Sequence, residues 1–170
     1  MTRPESIEYD PYYERYISLI GGDDPAAPLE AQPAQLRELL GGQSEDRGSH
    51  VYAEGKWTIK EVLSHVIDGE RIFAYRALRI SRGDETPIEG FEQDGYIENS
   101  HANERSFADL LDEFELLRRA NMSQFRMLRE ADWSRTGTAN NVSISVRALA
   151  FIMAGHVAHH VNILRERYLS

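Results

Sequence analysis

The sequence predicts an all-α protein, and specifically a four-helix bundle. Apolar residues recur with the helical period of about 3.6 residues along most of the 170-residue chain. Alternating patterns typical of strands are weak, and glycines or polar stretches separate the helical segments. A chain of this length fits one domain, residues 1–170, and is long enough to bury a core. Several substantial helices with few strands favour a bundle.

The N-terminal quarter predicts two modest helices and a loop. Residues 11–20 are predicted to form a short helix that ends at Gly21–Gly22. Residues 31–41 are predicted to form the next helix, which ends at Gly41–Gly42. Residues 43–56 are polar and contain glycine, which indicates a loop.

The second major helix has a sharply defined start. Thr58 followed by Glu61 matches a capping box, in which each side chain accepts a hydrogen bond from a backbone N–H that has no helical partner. Gly83 and Pro87 mark its end. Between these points runs an apolar stripe of Ile59, Val62, Val66, Phe73 and Ile80.

A long connection and two further helices complete the prediction. Residues 83–104 are interpreted as a functional or covering loop, since loops of this length are uncommon in compact domains. The third helix opens at Ser106 and runs to about residue 130. Residues 132–142 are predicted to be a loop, and the last helix is predicted over 143–169.

Composition narrows the classes of function. The net charge of −9 argues against general nucleic-acid binding, which requires Lys and Arg to neutralise phosphates. The chain has no cysteine, so any thiol chemistry must use a thiol supplied from outside. No apolar run is long enough to span a membrane, and the N-terminus does not resemble a signal peptide. We therefore expect a cytoplasmic protein without a membrane partner.

Histidines on the last helix are the first candidates for chemistry. His156 and His160 are four residues apart, so they lie one turn apart on the same side of a helix and can share one metal ion. Both fall within the apolar arc of the helical wheel, whereas His159 falls at its edge towards Glu166. The alternative interpretation is that these are ordinary core or surface histidines.

His65 of the second helix is the best candidate for a third ligand, because it lies beside the apolar stripe. Glu61 and Asp68 are its neighbours, and either carboxylate can orient an imidazole by accepting its second N–H. The alternative is that both are solvated surface charges. Three neutral histidines with one open position are typical of a catalytic site for a divalent metal ion, with zinc or nickel favoured.

Four segments together resemble the DinB/YfiT-like superfamily of metal-dependent enzymes over about residues 10–169. They contain a W-[ST]-x-K-E-x-x-x-H helix start, a G-F-x-x-D loop and a terminal G-H-x-x-H-H. The segments are KWTIKEVLSHVIDGERIFAYRALRISRGD, PIEGFEQDGY, RSFADLLDEFELLR and SVRALAFIMAGHVAHHVNILRERYL.

The resemblance implies a bundle with an up-down-down-up arrangement. It also implies one metal ion bound by a histidine of the second helix and two of the fourth, which correspond to His65, His156 and His160. Related members resemble transferases that use bacillithiol, mycothiol or glutathione, including maleylpyruvate isomerases, and many form homodimers. We therefore also expect a homodimer that acts on a small molecule.

Three functions are compatible with this prediction. The leading hypothesis is a metal-dependent S-transferase that joins a low-molecular-weight thiol to an electrophilic small molecule. The second is a hydrolase that uses a metal-bound water, with Glu61, Asp68 or Asp94 as the general base. HExxH is absent because Val157 follows His156, which argues against a protease. The third is a non-catalytic stress or binding protein that the metal stabilises.

Three further residues are candidates for the pocket. Phe91 and Tyr96 lie in the long connection, where they can line an entrance, although large aromatic residues more often fill cores. Arg76 lies near His65 on the helical wheel. It is predicted either to contact an anionic thiol or to form a salt bridge.

Overall fold

The computed structural model describes residues 2–170 and places four long helices in one bundle. The four helices are α2 (Ala26–Leu40), α4 (Ile59–Ser81), α6 (Phe107–Arg126) and α8 (Val146–Ile163). Each of α2 and α4 packs against both α6 and α8. Their directions are up, down, down and up, as predicted. This arrangement makes α4 parallel to α6 and antiparallel to α8.

Shorter elements occupy the connections between these helices. Several fall where the sequence predicts loops, because a single helical turn or a short hairpin carries little periodic signal. The connecting elements are the short helices α1 (Glu14–Ile17), α3 (Glu45–Gly48), α5 (Gln93–Glu98) and α7 (Glu130–Trp133), and the strands β1 (Thr136–Ala139) and β2 (Val142–Ser145).

Two predicted boundaries of the early helices need correction. Helix α2 begins at Ala26 rather than at residue 31. Pro28 lies in its first turn, where the backbone N–H groups have no helical acceptor, so a proline there does not interrupt the helix. The predicted loop 43–56 contains α3, whose start is capped by the Ser44 hydroxyl. The segment 11–20 begins with a 3₁₀ turn and has only one turn of α-helix.

The second half differs from the prediction in the antiparallel hairpin of β1 and β2. The third helix ends at Arg126 rather than near residue 130, and α7 follows it. The predicted loop 132–142 contains β1, and β2 shifts the start of the last helix from 143 to Val146. Asn140 and Asn141 form the turn with φ of 53° and 63°, the left-handed conformation that two-residue hairpins need.

The predicted starts of α4 and α6 are confirmed in atomic detail. The Thr58 hydroxyl accepts a hydrogen bond from the Glu61 N–H at 3.1 Å, and the Glu61 carboxylate accepts one from the Thr58 N–H at 2.7 Å. Ser106 caps α6 by accepting from the Asp109 N–H at 3.1 Å. These caps fix where α4 and α6 begin, and so fix the height of His65 in the bundle.

A buried ion pair ties all four long helices together near their middle. Arg118 of α6 donates two hydrogen bonds of 2.8 Å to the Glu70 carboxylate of α4. It also donates to the backbone oxygen of Leu29 and to the side chain of Gln32 on α2. Gln32 in turn donates to the Ala154 oxygen of α8 at 2.6 Å. This network sets the relative heights of α4 and α8 beside the histidines.

The N-terminal segment, residues 2–20, packs along α8. Arg147 of α8 pairs with the Glu8 carboxylate, and Arg3 donates to backbone oxygens at the end of α1. Gly155 allows the contact, because a Cβ at this position would collide with the Tyr16 backbone. Among residues 2–170, no helix combines the length and apolarity needed to cross a bilayer.

Candidate metal centre

Three histidines from two helices meet inside the bundle. His65 comes from α4, and His156 and His160 come from successive turns of α8. One ring nitrogen from each lies within 4.8 Å of the others, and the Nε2 atoms of His65 and His156 are 3.0 Å apart. All three side chains are buried, with exposures of 5%, 4% and 9%.

Burial keeps these imidazoles neutral. It lowers the pKa of His65 to about 4, with a smaller contribution from the charge of His159. Burial also places the pKa values of His156 and His160 well below the ordinary value of 6.5, and the neighbouring histidines lower both further. Neutral rings present the lone pairs that a metal ion requires.

The residues present fit a metal ion. Three neutral ring nitrogens converge, and Nδ1 of His160 is buried without a hydrogen-bond partner in the described chain. Buried polar atoms without partners are costly, and a cation shared by the three rings would satisfy one nitrogen of each ring. Zinc sites with three histidines and one open position are a common catalytic arrangement.

His159 lies outside this cluster. Its ring centre is 5.4 Å from that of Tyr16 and 5.1 Å from that of His160. It is only half-buried, and burial together with the charge of Arg15 lowers its pKa. His159 therefore borders the centre without joining it.

Gly69 provides the space that His156 occupies. It follows His65 by one turn on α4, directly opposite the His156 ring. A Cβ at Gly69 would lie 2.7 Å from Cε1 and 3.0 Å from Nδ1 of His156. The two helices therefore approach closely at the histidines because this position lacks a side chain.

The histidine cluster opens onto a cavity of about 450 Å³. His65 and His156 form part of its wall. The remaining wall combines aromatic and polar groups from the N-terminal segment, α4, the long connection and the hairpin. It includes Tyr12, Tyr13, Tyr16, Phe73, Arg76, Phe91 and Asn140.

Two of the predicted pocket residues, Arg76 and Phe91, line this cavity. Tyr96 packs against Phe91 with ring centres 5.3 Å apart, but it lines a neighbouring groove and is half exposed. The long connection therefore contributes to the entrance through Phe91.

The predicted carboxylates lie elsewhere. Both oxygens of Glu61 are engaged, one by the Thr58 N–H and the other by Asn103 at 2.9 Å. Asp68 faces Arg71 and lines the neighbouring groove. Asp94 is exposed in the first turn of α5. None of the three is among the residues that line the cavity beside His65 and His156, and their suggested roles as imidazole partner or general base stay predictions.

The tyrosines of the N-terminal segment were missed by the sequence prediction. Tyr16 contacts the His156 ring edge-on, with centres 5.3 Å apart, and Tyr12 and Tyr13 line the same cavity. Asp10 lines it as well. The available signal was the run YDPYYERY at residues 9–16. Four tyrosines in eight residues are more than a short helix needs for packing against the core.

Comparison with known protein families identifies the family of this chain. A model of the DinB superfamily matches residues 28–164, which is most of the sequence. The chain belongs to the DinB superfamily. The match begins after the N-terminal segment, so the tyrosines of the cavity lie outside it.

Solved structures share the fold of this DinB-superfamily chain at low sequence identity. YfiT from Bacillus subtilis, described as "a probable metal-dependent hydrolase with an unusual four-helix bundle topology", superposes with a TM-score of 0.76 at 17% identity, covering 96% of this chain and 89% of YfiT. The mycothiol-dependent maleylpyruvate isomerase superposes with a TM-score of 0.67 at 17% identity, covering 81% of this chain. The chain spans 58% of that isomerase. Comparison with curated protein sequences gave no match.

Proposed function

We propose that the protein is a metal-dependent S-transferase that joins a low-molecular-weight thiol to an electrophilic small molecule. The observation that carries the proposal is the buried cluster of His65, His156 and His160, which opens onto a cavity large enough for a small substrate. A metal ion held there supplies Lewis acidity, which lowers the pKa of a thiol and favours the thiolate.

The surroundings of the histidines suit a thiol better than water. A free thiol has a pKa of about 8.5, so little activation produces the nucleophile. Water needs a far larger shift and commonly a nearby base. The carboxylates on the cavity wall, Asp10 and Glu92, each cap the start of a helical turn. The chain itself has no cysteine, so the thiol is a cosubstrate.

In this reaction the histidines would hold the metal ion, and the aromatic residues around them would exclude water and contact the substrate. The three histidines stay neutral and hold one face of the site fixed on α4 and α8. Tyr16 and Phe73 contact His156 on two sides and shield it from water. Phe91 of the connection offers an apolar surface to the electrophile.

The test combines metal loading with thiol conjugation. Protein stripped with a chelator is reloaded with zinc, nickel or cobalt, and bacillithiol, mycothiol and glutathione are each offered with monochlorobimane. We expect conjugation with at least one thiol in the loaded protein and its loss in His65→Ala. His50→Ala is the matched control, because His50 is exposed and contacts Tyr168 instead. Equal rates with and without metal for every thiol would reject the transferase.

Hydrolysis is the second candidate, and Asp10 is the observation that favours it. Asp10 is a carboxylate on the wall of the cavity that contains His65 and His156, and because it caps Tyr12 through Oδ1, its Oδ2 can still accept a proton. As a general base it would accept a proton from the attacking water. Ester hydrolysis that needs metal and is lost in Asp10→Asn, without thiol conjugation, would favour this function. Metal binding that raises stability without any turnover would favour the non-catalytic alternative.

Two expectations about partners extend the proposal. The substrate is a small molecule, because the cavity holds about 450 Å³. Association of two copies, which the family resemblance implies, stays a prediction. Light scattering coupled to size-exclusion chromatography measures it directly.

A further inference from the structure

Arg76 is a buried cation that faces the same cavity as His65 and His156. Its side chain is 2% exposed, and its Nε atom has no hydrogen-bond partner within residues 2–170. None of the ion pairs formed in that described part of the chain includes Arg76. A buried charge without a counter-charge is costly, so an anion bound in the cavity would stabilise this guanidinium.

The groups around Arg76 orient it without neutralising it. Its Nη2 atom donates to the backbone oxygen of Glu89 at 3.2 Å. Burial raises the pKa of the neighbouring Tyr13, and the charge of Arg76 and a hydrogen bond with it act in the opposite direction. Tyr13 therefore stays a neutral phenol. The two carboxylates on the cavity wall, Asp10 and Glu92, cap the N–H groups of Tyr12 and Gly95, and neither forms an ion pair with Arg76 within the described residues.

Helix α4 separates Arg76 from His65 by a distance that a small molecule can span. His65 and Arg76 fall on the same face of α4, about three turns or 16 Å apart along the axis. Side chains on a helix lean towards its N-terminus, which favours a reach from Arg76 towards His65, and both residues line the same cavity. Phe73 lies between them and lines the cavity.

We propose that the cavity takes a small molecule that carries a carboxylate, which Arg76 binds while the reacting group lies at the three histidines. A guanidinium matches a carboxylate in charge and planar geometry. The aromatic residues between the two ends, Phe73 and Phe91, suit an apolar middle section. This inference rests on the proposed function, because it names the substrate class of the same site.

The experiment measures binding rather than turnover. Cobalt-loaded protein is titrated with straight-chain ω-mercapto carboxylic acids of increasing length and with their methyl esters, and the cobalt absorption spectrum and calorimetry report binding. We expect at least one acid to bind tenfold more tightly than its ester. Arg76→Gln should abolish that preference and leave ester binding within twofold, whereas Arg76→Lys should keep part of it. Arg79→Gln is the matched control, since Arg79 on the same helix pairs with Asp84 outside the cavity.

Other outcomes overturn the inference or separate it from the proposed function. Equal binding of every acid and its ester, or a loss of both in folded Arg76→Gln, would reject the carboxylate. Tighter binding of a matching phosphonate would reassign the anion to a phosphoryl group. Failure to bind cobalt would contradict the metal centre alone, and metal-free protein would then be titrated with 4-phenylbutyrate and its amide. Preference for the acid that depends on Arg76 would still support the inference, and no preference would reject it.

Discussion

The Nε2 atoms of His65 and His156 lie 3.0 Å apart inside the bundle, although 91 positions separate the two residues in the chain. Two neutral imidazoles at this distance can share only one hydrogen bond, in which one nitrogen donates and the other accepts. His160 packs against both, with ring centres 4.8 Å and 4.6 Å away. A cation can engage all three rings at once, so the arrangement suits a metal better than it suits hydrogen bonding alone.

Metal binding should therefore stabilise the folded protein. At a free metal concentration of one hundred times Kd, linkage gives about 2.7 kcal/mol of added stability. We expect His65→Ala, His156→Ala and His160→Ala to lose both the bound metal and this stabilisation. Elemental analysis and thermal unfolding with and without a chelator measure the two effects.

His159→Ala serves as the control for that prediction. His159 lies next to the cluster on the same helix but is half-buried and outside the three. It should retain metal within experimental error. Loss of metal in His159→Ala with retention in His160→Ala would show that the ligands are misassigned.

Gly69→Ala should separate metal binding from stability. The new Cβ would approach the His156 ring to 2.7 Å, which is closer than packed atoms tolerate, so the ring must turn. Replacing glycine in a helix with alanine otherwise adds up to about 1 kcal/mol of stability. We expect metal affinity to fall at least tenfold, with little loss of stability in the apo protein, as measured by competition with a chromogenic chelator.

Gly95→Ala is the matched variant, because it makes the same change in helix α5 where the nearest atom lies 3.9 Å from the new Cβ. Its metal affinity should equal that of the wild type. Unchanged affinity in Gly69→Ala would mean that His156 does not depend on this space.

The sequence was informative about the histidines and less so about their surroundings. The spacing of His156 and His160 is local, and one helical wheel places both on the buried face. Glu61 looked available for His65, yet its oxygens are engaged by the cap and by Asn103, a partner 42 positions away. Tyr16 reaches the site through a close backbone contact at Gly155. Contacts between distant segments carry no periodic pattern, so sequence alone did not predict them.

Gly155→Ala should loosen the N-terminal segment. The added methyl group would collide with the backbone of Tyr16, which cannot move aside as a flexible side chain can. We expect a loss of about 1–3 kcal/mol in the free energy of unfolding, typical of an overpacked core. Urea denaturation measures it, and increased proteolysis within residues 2–20 would locate the effect.

Ala158→Gly provides the comparison on the same helix. It removes a side chain that packs at the edge of the core and should cost about 1 kcal/mol from helix propensity, without exposing the N-terminal segment. Equal proteolysis of the two variants would contradict a specific role for Gly155.

The buried pair of Glu70 and Arg118 should behave as a unit. Their side chains are 1% and 2% exposed, so removing one partner leaves an uncompensated charge in the core. Such changes typically cost about 3–5 kcal/mol. We expect Glu70→Leu and Arg118→Met each to be strongly destabilised, and the double variant to lose less than the sum of the two.

The exposed pair of Glu30 and Arg126 is the control for this cycle. These side chains are 59% and 64% exposed and lie 3.8 Å apart, so their coupling should be below about 1 kcal/mol. Additive effects at Glu70 and Arg118 would show that the pair is not coupled.

The helix bundle was predictable from patterns among neighbouring residues, whereas the hairpin of β1 and β2 was not. The capping pair Thr58 and Glu61 and the apolar stripe of α4 are properties of neighbouring residues. β1 and β2 each have only four residues, too few to establish an alternating pattern. The consecutive Asn140 and Asn141 were the available sign, because asparagine tolerates the left-handed conformation that this turn adopts.

The pairing of Glu8 with Arg147 should make stability depend on pH in the acidic range. Burial alone raises the pKa of Glu8, but hydrogen bonds from Arg147 and from the Glu5 backbone leave it below the ordinary value of 4.5. The folded protein therefore binds fewer protons at this position than the unfolded chain does at the same acidic pH. The stability from Glu8 is fully present above pH 4.5 and is lost as the pH falls through the folded pKa.

Glu8→Gln tests this directly, because glutamine keeps the shape and removes the titration. The difference in the free energy of unfolding between wild type and Glu8→Gln should be largest near pH 6 and should shrink as the pH falls below 4.5, measured by urea denaturation. A constant difference between wild type and Glu8→Gln across this range would contradict the link, because only the titration of Glu8 makes it depend on pH.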